Sequence, residues 1–407
     1  MIFSASGTRS NLRFAASLAV IGALGPSAVD MYLASLPEIA HEYASSYASV
    51  QLTLTVFLLA MGAGQLVFGP VVDTLGRRRP LLAGLLAFIL SSLLAALAPS
   101  LEWLLVARLV QGLSSALTLV VIMSMVRDVS EGARAAQIFA LLMTIEGLAP
   151  VIAPALGGFL SVHYGWRAIM VVLAVLGAAV LLNSFVALKE TLPADKRVAW
   201  QPRTIMRTYA RISRDPNFLR PALALAAVFF FLFAYIGGAA FIYQTHFGLS
   251  ETRFGSVFGA TGVAILLGAI TAGRLVSRFG LSTLALFAAG CMLLGTVVTL
   301  GFTLGEPHLI GVVAGMALSL FGLGVCETTL MSLAMASQDR ALGSTAALLG
   351  AFQLVISSSA TPLAGAAVER GVVEWALLLV LSALLVWGLT WLSTRHTDVA
   401  SNSVTEH

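Results

Sequence analysis

Charge is scarce in this chain. Asp, Glu, Lys and Arg make up 10% of 407 residues while hydrophobic residues make up 58%, and a water-soluble domain of that composition would expose large apolar patches. Cysteine is nearly absent. Cys291 and Cys326 both fall in apolar runs, which excludes a disulfide framework and leaves packing as their role. H-E-x-x-H, G-x-S-x-G and P-loop patterns are missing and the histidines are scattered. The sequence therefore offers no hydrolytic centre, no metal site and no nucleotide-driven engine, and neither enzyme activity nor a cofactor is expected. Alternating polar and apolar segments are lacking too: 81–98 and 222–235 are apolar on every face, which excludes a transmembrane barrel. The net charge of +4 does not point to nucleic acid, because the basic residues are confined to connecting segments.

What is present is a succession of apolar blocks, each about long enough to cross ~30 Å of hydrocarbon. They lie near 14–37, 49–68, 80–99, 102–126, 135–161, 167–188, 218–245, 254–276, 282–304, 308–334, 341–365 and 373–394. The first continues beyond signal-peptide length and carries Asp30, so it reads as a span. An all-α membrane protein of twelve transmembrane helices follows, with the lipid bilayer as its solvent. With both termini inside, Lys and Arg crowd the internal segments, leaving Arg167, Arg253 and Arg370 outside and Arg108 within a span. That asymmetry predicts a multi-pass inner-membrane protein with cytoplasmic termini.

One long polar stretch, from Lys189 to Pro221, separates six blocks from six. The expected organisation is an N-terminal bundle over 1–188, a cytoplasmic linker over 189–217 and a C-terminal bundle over 218–407 with a short tail. The halves repeat. Gly69, Asp73 and Gly76 recur as Gly273, Ser277 and Gly280, and Pro154, Gly157 and Trp166 recur as Pro362, Gly365 and Trp375. A duplicated six-helix unit places a site between its halves near the midplane.

Three motifs stand on this frame. Gly69-Pro70-Val71-Val72-Asp73-Thr74-Leu75-Gly76-Arg77-Arg78-Arg79 joins a glycine turn to an acid and arginines able to form a charge lock. Arg108, Gln111 and Gly112 share the fourth span, with Arg and Gln on one helix face. Pro150, Pro154, Gly157 and Gly158 kink the fifth and let neighbours approach. Together these resemble the signatures of the major facilitator superfamily, and the third resembles the antiporter motif of drug exporters, with Ala153 replacing a glycine. Ala28-Val29-Asp30-Met31-Tyr32-Leu33, Gly165-Trp166-Arg167-Ala168-Ile169, Glu190-Thr191-Leu192-Pro193 and Thr361-Pro362-Leu363-Ala364-Gly365 are similar to the Bcr/CflA drug-resistance subfamily of twelve-helix proton antiporters. Ala34 stands where that subfamily usually has proline, and Glu146 and Glu327 are acids at usually uncharged positions.

The resemblance implies a monomeric proton-coupled exporter of small organic molecules, of the multidrug or bicyclomycin/chloramphenicol type and hence an antibiotic-resistance determinant. The alternative on the same fold is proton-coupled uptake or export of a metabolite, sugar or siderophore. Asp30, Arg108, Glu146 and Glu327 are the ionisable residues deep in apolar spans, where each costs about 2.5–3.5 kcal/mol on insertion scales. Asp30 and Arg108 lie at similar depth, roughly 10 Å below the external surface by helical rise. The resemblance implies that their helices adjoin, so Asp30 is expected to carry the proton and to exchange it as Arg108 and Gln111 approach. Tyr32, Glu146, Tyr235 and Glu327 are the expected substrate contacts, within an adaptable aromatic wall.

Overall fold

The computed structural model describes residues 8–130, 132–197, 201–304, 307–338 and 342–404; at 8–13, 132–137, 139–141, 143–147, 196 and 396–404 it describes the backbone alone. The described residues are almost wholly helical: α1 (Phe14–Glu42), α2 (Tyr47–Leu75), α3 (Arg78–Ala96), α4 (Leu101–Val129), α5 (Gly132–Tyr164) and α6 (Trp166–Ala187). A short connecting helix α7 (Pro202–Ser213) follows. The second set is α8 (Pro216–His246), α9 (Glu251–Phe279), α10 (Leu281–Gly301), α11 (Leu309–Ala336), α12 (Leu342–Arg370) and α13 (Val372–Val404). Among the described residues eleven helices are long and apolar enough to cross a membrane, and the 33-residue α5 is the twelfth. Leucines, valines and phenylalanines such as Leu90, Val106, Phe185, Phe287 and Leu381 stand exposed around the outside, as lipid-facing surfaces require.

Prolines explain where the helices break. A proline lacks the N–H that would reach the carbonyl four residues earlier, and its ring crowds that carbonyl. Pro26 therefore ends a helical piece at Gly22, and Pro37 tightens Leu33–Ser35 into a 3-10 turn, so α1 is a chain of segments with Asp30 closing one of them. Pro362 does the same to α12, which breaks at Ser358–Ser359 between Leu342–Ser357 and Ala360–Arg370. Pro70 leaves α2 continuous but frees the carbonyl of Leu66, which instead accepts the Tyr209 hydroxyl of α7 at 3.2 Å.

The repeat read from the sequence is visible in local geometry. Ser46 caps α2 and Ser250 caps α9, each accepting from the amide three residues on. Gly76 (φ +90°) and Gly280 (φ +75°) end the same two helices in backbone conformations that L side chains rarely adopt. Within the first half α2 and α3 pack on α4, and α3 on α6; within the second α9 and α10 pack on α11, and α8 and α10 on α13. The halves meet along two seams, α2 against α12 and α5 against α9. One end of the bundle carries Arg77, Arg78, Arg127, Arg278 and the arginines of α7, and is called the basic end below; the other is the far end.

Candidate functional site

Arg108 is the centre of a buried polar cluster in the first half. It is wholly buried in α4, its guanidinium lying over the rings of Tyr32 (4.8 Å) and Phe57 (4.4 Å). One terminal nitrogen donates to the Ala28 carbonyl at 3.0 Å and to Gln111 Oε1 at 2.6 Å. Gln111 in turn donates to Ser92 at 2.8 Å. The Ala28 carbonyl belongs to the last turn of a helical piece, where carbonyls lack intrahelical donors, so the arginine completes the broken end of α1. Its Nε and Nη2 find no partner among the described residues. Gly112, next on this face, brings α4 against the Phe57 carbonyl of α2, where a Cβ would collide.

Asp30 is 5% exposed and does not pair with Arg108. The sequence expectation is an approach of Arg108 to Asp30 in one conformation; in the present state the helices adjoin and the cluster brings Arg108, Gln111 and Tyr32 together, but among the described residues no cation or donor reaches Asp30. The reason is rotational. Gly25 faces Met61 and Ser115, and Tyr32 faces Thr53 and Arg108, whereas Asp30 lies about 140° round the helix from Gly25. A small void of about 40 Å³ lies beside the same break, lined by Gly25, Pro26, Met61 and Ser115 among others.

The second half holds a matching arrangement. Tyr32 shares a hydrogen bond with Thr53 at 3.0 Å, and Tyr235 shares one with Thr261 at 3.2 Å; both threonines also donate to the carbonyl three residues back. Tyr235 stacks on Phe258, with ring centroids 5.3 Å apart. Both tyrosines are fully buried with their hydroxyls engaged, so contact with a cargo requires movement of α1 or α8. Glu327 occupies α11 on the face of Leu320, Leu323, Leu330 and Ala334; those four are buried and Glu327 is half-buried, with no partner among the described residues. The side chain of Glu146 lies outside the described residues.

At the basic end the first motif forms a lock. Arg77 bridges Asp73 at 2.7 Å and Asp128, from α4, at 2.9 Å. Burial works against its charge, but the hydrogen bonds it donates to Asp128 and Asp73 prevail and hold the guanidinium above its ordinary range. Glu190 accepts from the amides of Arg77 (2.8 Å) and Arg78 (3.2 Å), while Arg78 donates to the carbonyls of Phe185 and Leu188. Burial raises the Glu190 carboxyl, yet the amides of Arg77, Leu192 and Arg78 outweigh it and bring it below the usual carboxylate range. Gly76 is required here twice over, by its φ and because a Cβ would stand 2.7 Å from Glu190 Oε2. Sequence reading missed Asp128, whose only signal was its place among the basic residues ending the fourth span.

At the far end the halves are sealed by main chain. Gly158 abuts the Glu251 carbonyl, Gly255 that of Pro154 and Gly259 that of Val151, and within the first half Gly157 abuts that of Met31, each too close to admit a Cβ. Pro150 and Pro154 of the third motif thus lie on this seam. Two amides latch across it reciprocally: Gln51 of α2 donates to the Gly237 carbonyl of α8, and Gln244 of α8 to the Ala34 carbonyl of α1. Ser161 of α5 donates to Glu38 at 2.9 Å and shares a bond with Ser35 at 3.0 Å. Neither the glutamine latches between the halves nor the α5–α1 serine bonds within the first were legible as such, because an isolated glutamine or serine in an apolar span carries no periodic signal.

Comparison with known proteins accords with this architecture. The family described as Major Facilitator Superfamily matches residues 18–361. The chain is 36% identical over 388 residues to the uncharacterized MFS-type transporter YdgK of Bacillus subtilis, covering 94% of this chain and 96% of that one. It is 28% identical over 317 residues to a chloramphenicol resistance protein of Pseudomonas aeruginosa, covering 75% and 71% respectively. Among solved structures, the nucleoside transporter NupG superposes with a TM-score of 0.73 at 16% identity, over 95% of this chain and 99% of that one, a likeness of fold.

Proposed function

Because this chain belongs to the major facilitator superfamily and is therefore a multi-pass membrane transporter, we propose that it is a proton-coupled antiporter exporting small organic molecules, drugs among them, by alternating access. In this reading residues 1–188 and 218–407 are the two rocking bundles, and the basic end faces the cytoplasm of a bacterial inner membrane, as the distribution of Lys and Arg supports.

The observation that carries the proposal is the pair of unsatisfied groups around the break in α1. Among the described residues Asp30 is buried without a counter-ion, and Arg108 keeps two buried N–H-bearing nitrogens unpartnered across the same helix. A carboxyl group enclosed without a cation holds its proton, and one reached by a guanidinium gives it up. The segmented backbone on either side of Asp30 supplies the freedom to turn between the two situations. Closure of the far end in one state and of the basic end in the other would then follow the proton, because each protonation form favours a different conformation. The half-buried, unpartnered Glu327 supports a cargo that is cationic or zwitterionic, and the relative named for chloramphenicol resistance supports drugs as the class.

Asp30→Asn in proteoliposomes tests this. Export driven by a pH difference is expected to fall to background while substrate exchange without a gradient persists. Undiminished gradient-driven export in that variant would remove Asp30 from the mechanism.

A further inference from the structure

The connecting helix α7 has two unlike faces. Arg203, Arg207 and Arg211 recur every four residues and form one stripe, continued by Arg214; all four are exposed, and none makes an ion pair among the described residues. No Asp or Glu occurs from 196 to 214. The opposite face packs inward: Ile212 is fully buried, Ile205 and Tyr209 partly so, against α8 and α12. Beside the stripe Met206 is 70% exposed.

Depth distinguishes this stripe from an ordinary solvated face. Tyr209 is tied to the Leu66 carbonyl, and Leu66 lies nineteen residues along α2 from its far-end start at Tyr47, about 29 Å at helical rise. That is about one hydrocarbon thickness. The phenol thus fixes α7 at the level where acyl chains give way to headgroups, with arginines at phosphate height and an exposed methionine beside them. An amphipathic basic helix held at that level matches the chemistry of an anionic interface, since planar guanidinium forks pair bidentately with phosphate.

We propose that α7 binds the anionic phospholipid headgroups of the leaflet at the basic end through Arg203, Arg207 and Arg211, with Met206 seated at the acyl boundary. The connector, which touches α2 of one half and α12 of the other, is thereby held in the membrane plane.

The test is native mass spectrometry of the detergent-purified full chain with phosphatidylglycerol and phosphatidylcholine in competition, which needs no transported substrate. The wild type is expected to retain phosphatidylglycerol preferentially. R203Q/R207Q/R211Q should lose that preference by about tenfold or more, and R203K/R207K/R211K should keep most of it. Equal retention by the glutamine variant and wild type overturns the proposal, as does displacement of the lipid by inorganic phosphate, which would mark a free-phosphate site. Absence of any preference in the wild type also overturns it and points to an acidic protein as the partner of the stripe. Should the glutamine variant fail to fold, M206Q at its exposed position decides: weaker retention supports the assignment and unchanged retention rejects it.

Discussion

At the scale of single residues, Arg108 illustrates how a charge survives in the interior of a membrane protein. It is held by one helix-end carbonyl, one amide oxygen and two aromatic faces, and among the described residues no carboxylate neutralises it. A lysine offers a point charge without the planar surface that lies over Tyr32 and Phe57. Arg108→Lys is therefore expected to lower gradient-driven transport at least ~10-fold and to destabilise the fold by about 1–2 kcal/mol, the worth of a desolvated cation–π pair, read as a shift in thermal melting in detergent. The sequence pointed to Asp30 and Arg108 because ionisable residues in apolar spans are few, and to Gln111 because it stands three residues from Arg108 on one helix face. It could not tell that Asp30 turns away from Arg108, since that depends on helical phase across a break at which regular periodicity ends.

At the scale of elements, proline placement organises the molecule. Pro70 releases the Leu66 carbonyl and Tyr209 takes it, so the two residues are energetically linked. Tyr209→Phe should lower stability by about 1 kcal/mol, and the loss should shrink in a Pro70→Ala background, where α2 can satisfy Leu66 itself; a double-mutant cycle of melting free energies checks this. The turn clamped by Glu190 has a pH signature. Its carboxyl lies below the ordinary range in the folded protein, so its contribution is complete above the unfolded carboxylate pKa and disappears as pH falls through the lower, folded one. Glu190→Gln is expected to flatten the acidic side of the stability–pH curve while reducing stability at neutral pH. The apolar blocks located the helices, and Gly76 and the arginines located the turn. The involvement of Asp128 and of the Glu190 carboxylate was hidden because partners from different helices leave no spacing to read.

At the scale of the whole molecule, the two halves are sealed against each other at the far end. The seal combines glycine contacts, which are steric, with the reciprocal Gln51 and Gln244 latches, which are polar. Each latch is worth about 1 kcal/mol, so Gln51→Ala with Gln244→Ala should shift the equilibrium toward far-end opening by ~30-fold. Labelling of a cysteine placed at Met31 by a membrane-impermeant thiol reagent would report the shift as faster modification, with Cys291 and Cys326 replaced beforehand. The duplication was legible from glycines, prolines and tryptophans at nearly constant offset, and it reappears in paired caps, paired left-handed glycines and paired tyrosine–threonine bonds. The far-end seal was not legible, since closure is a property of one conformation and the sequence must serve more than one.

The glycine seam between α5 and its neighbours has an evolutionary corollary. Where backbone rests on backbone, mutation has almost nothing to work with: every side chain is larger than hydrogen, and none fits. Novelty in what such a carrier ships must arise elsewhere, on the walls of the passage, so descendants can diverge widely in cargo while still moving in the same way.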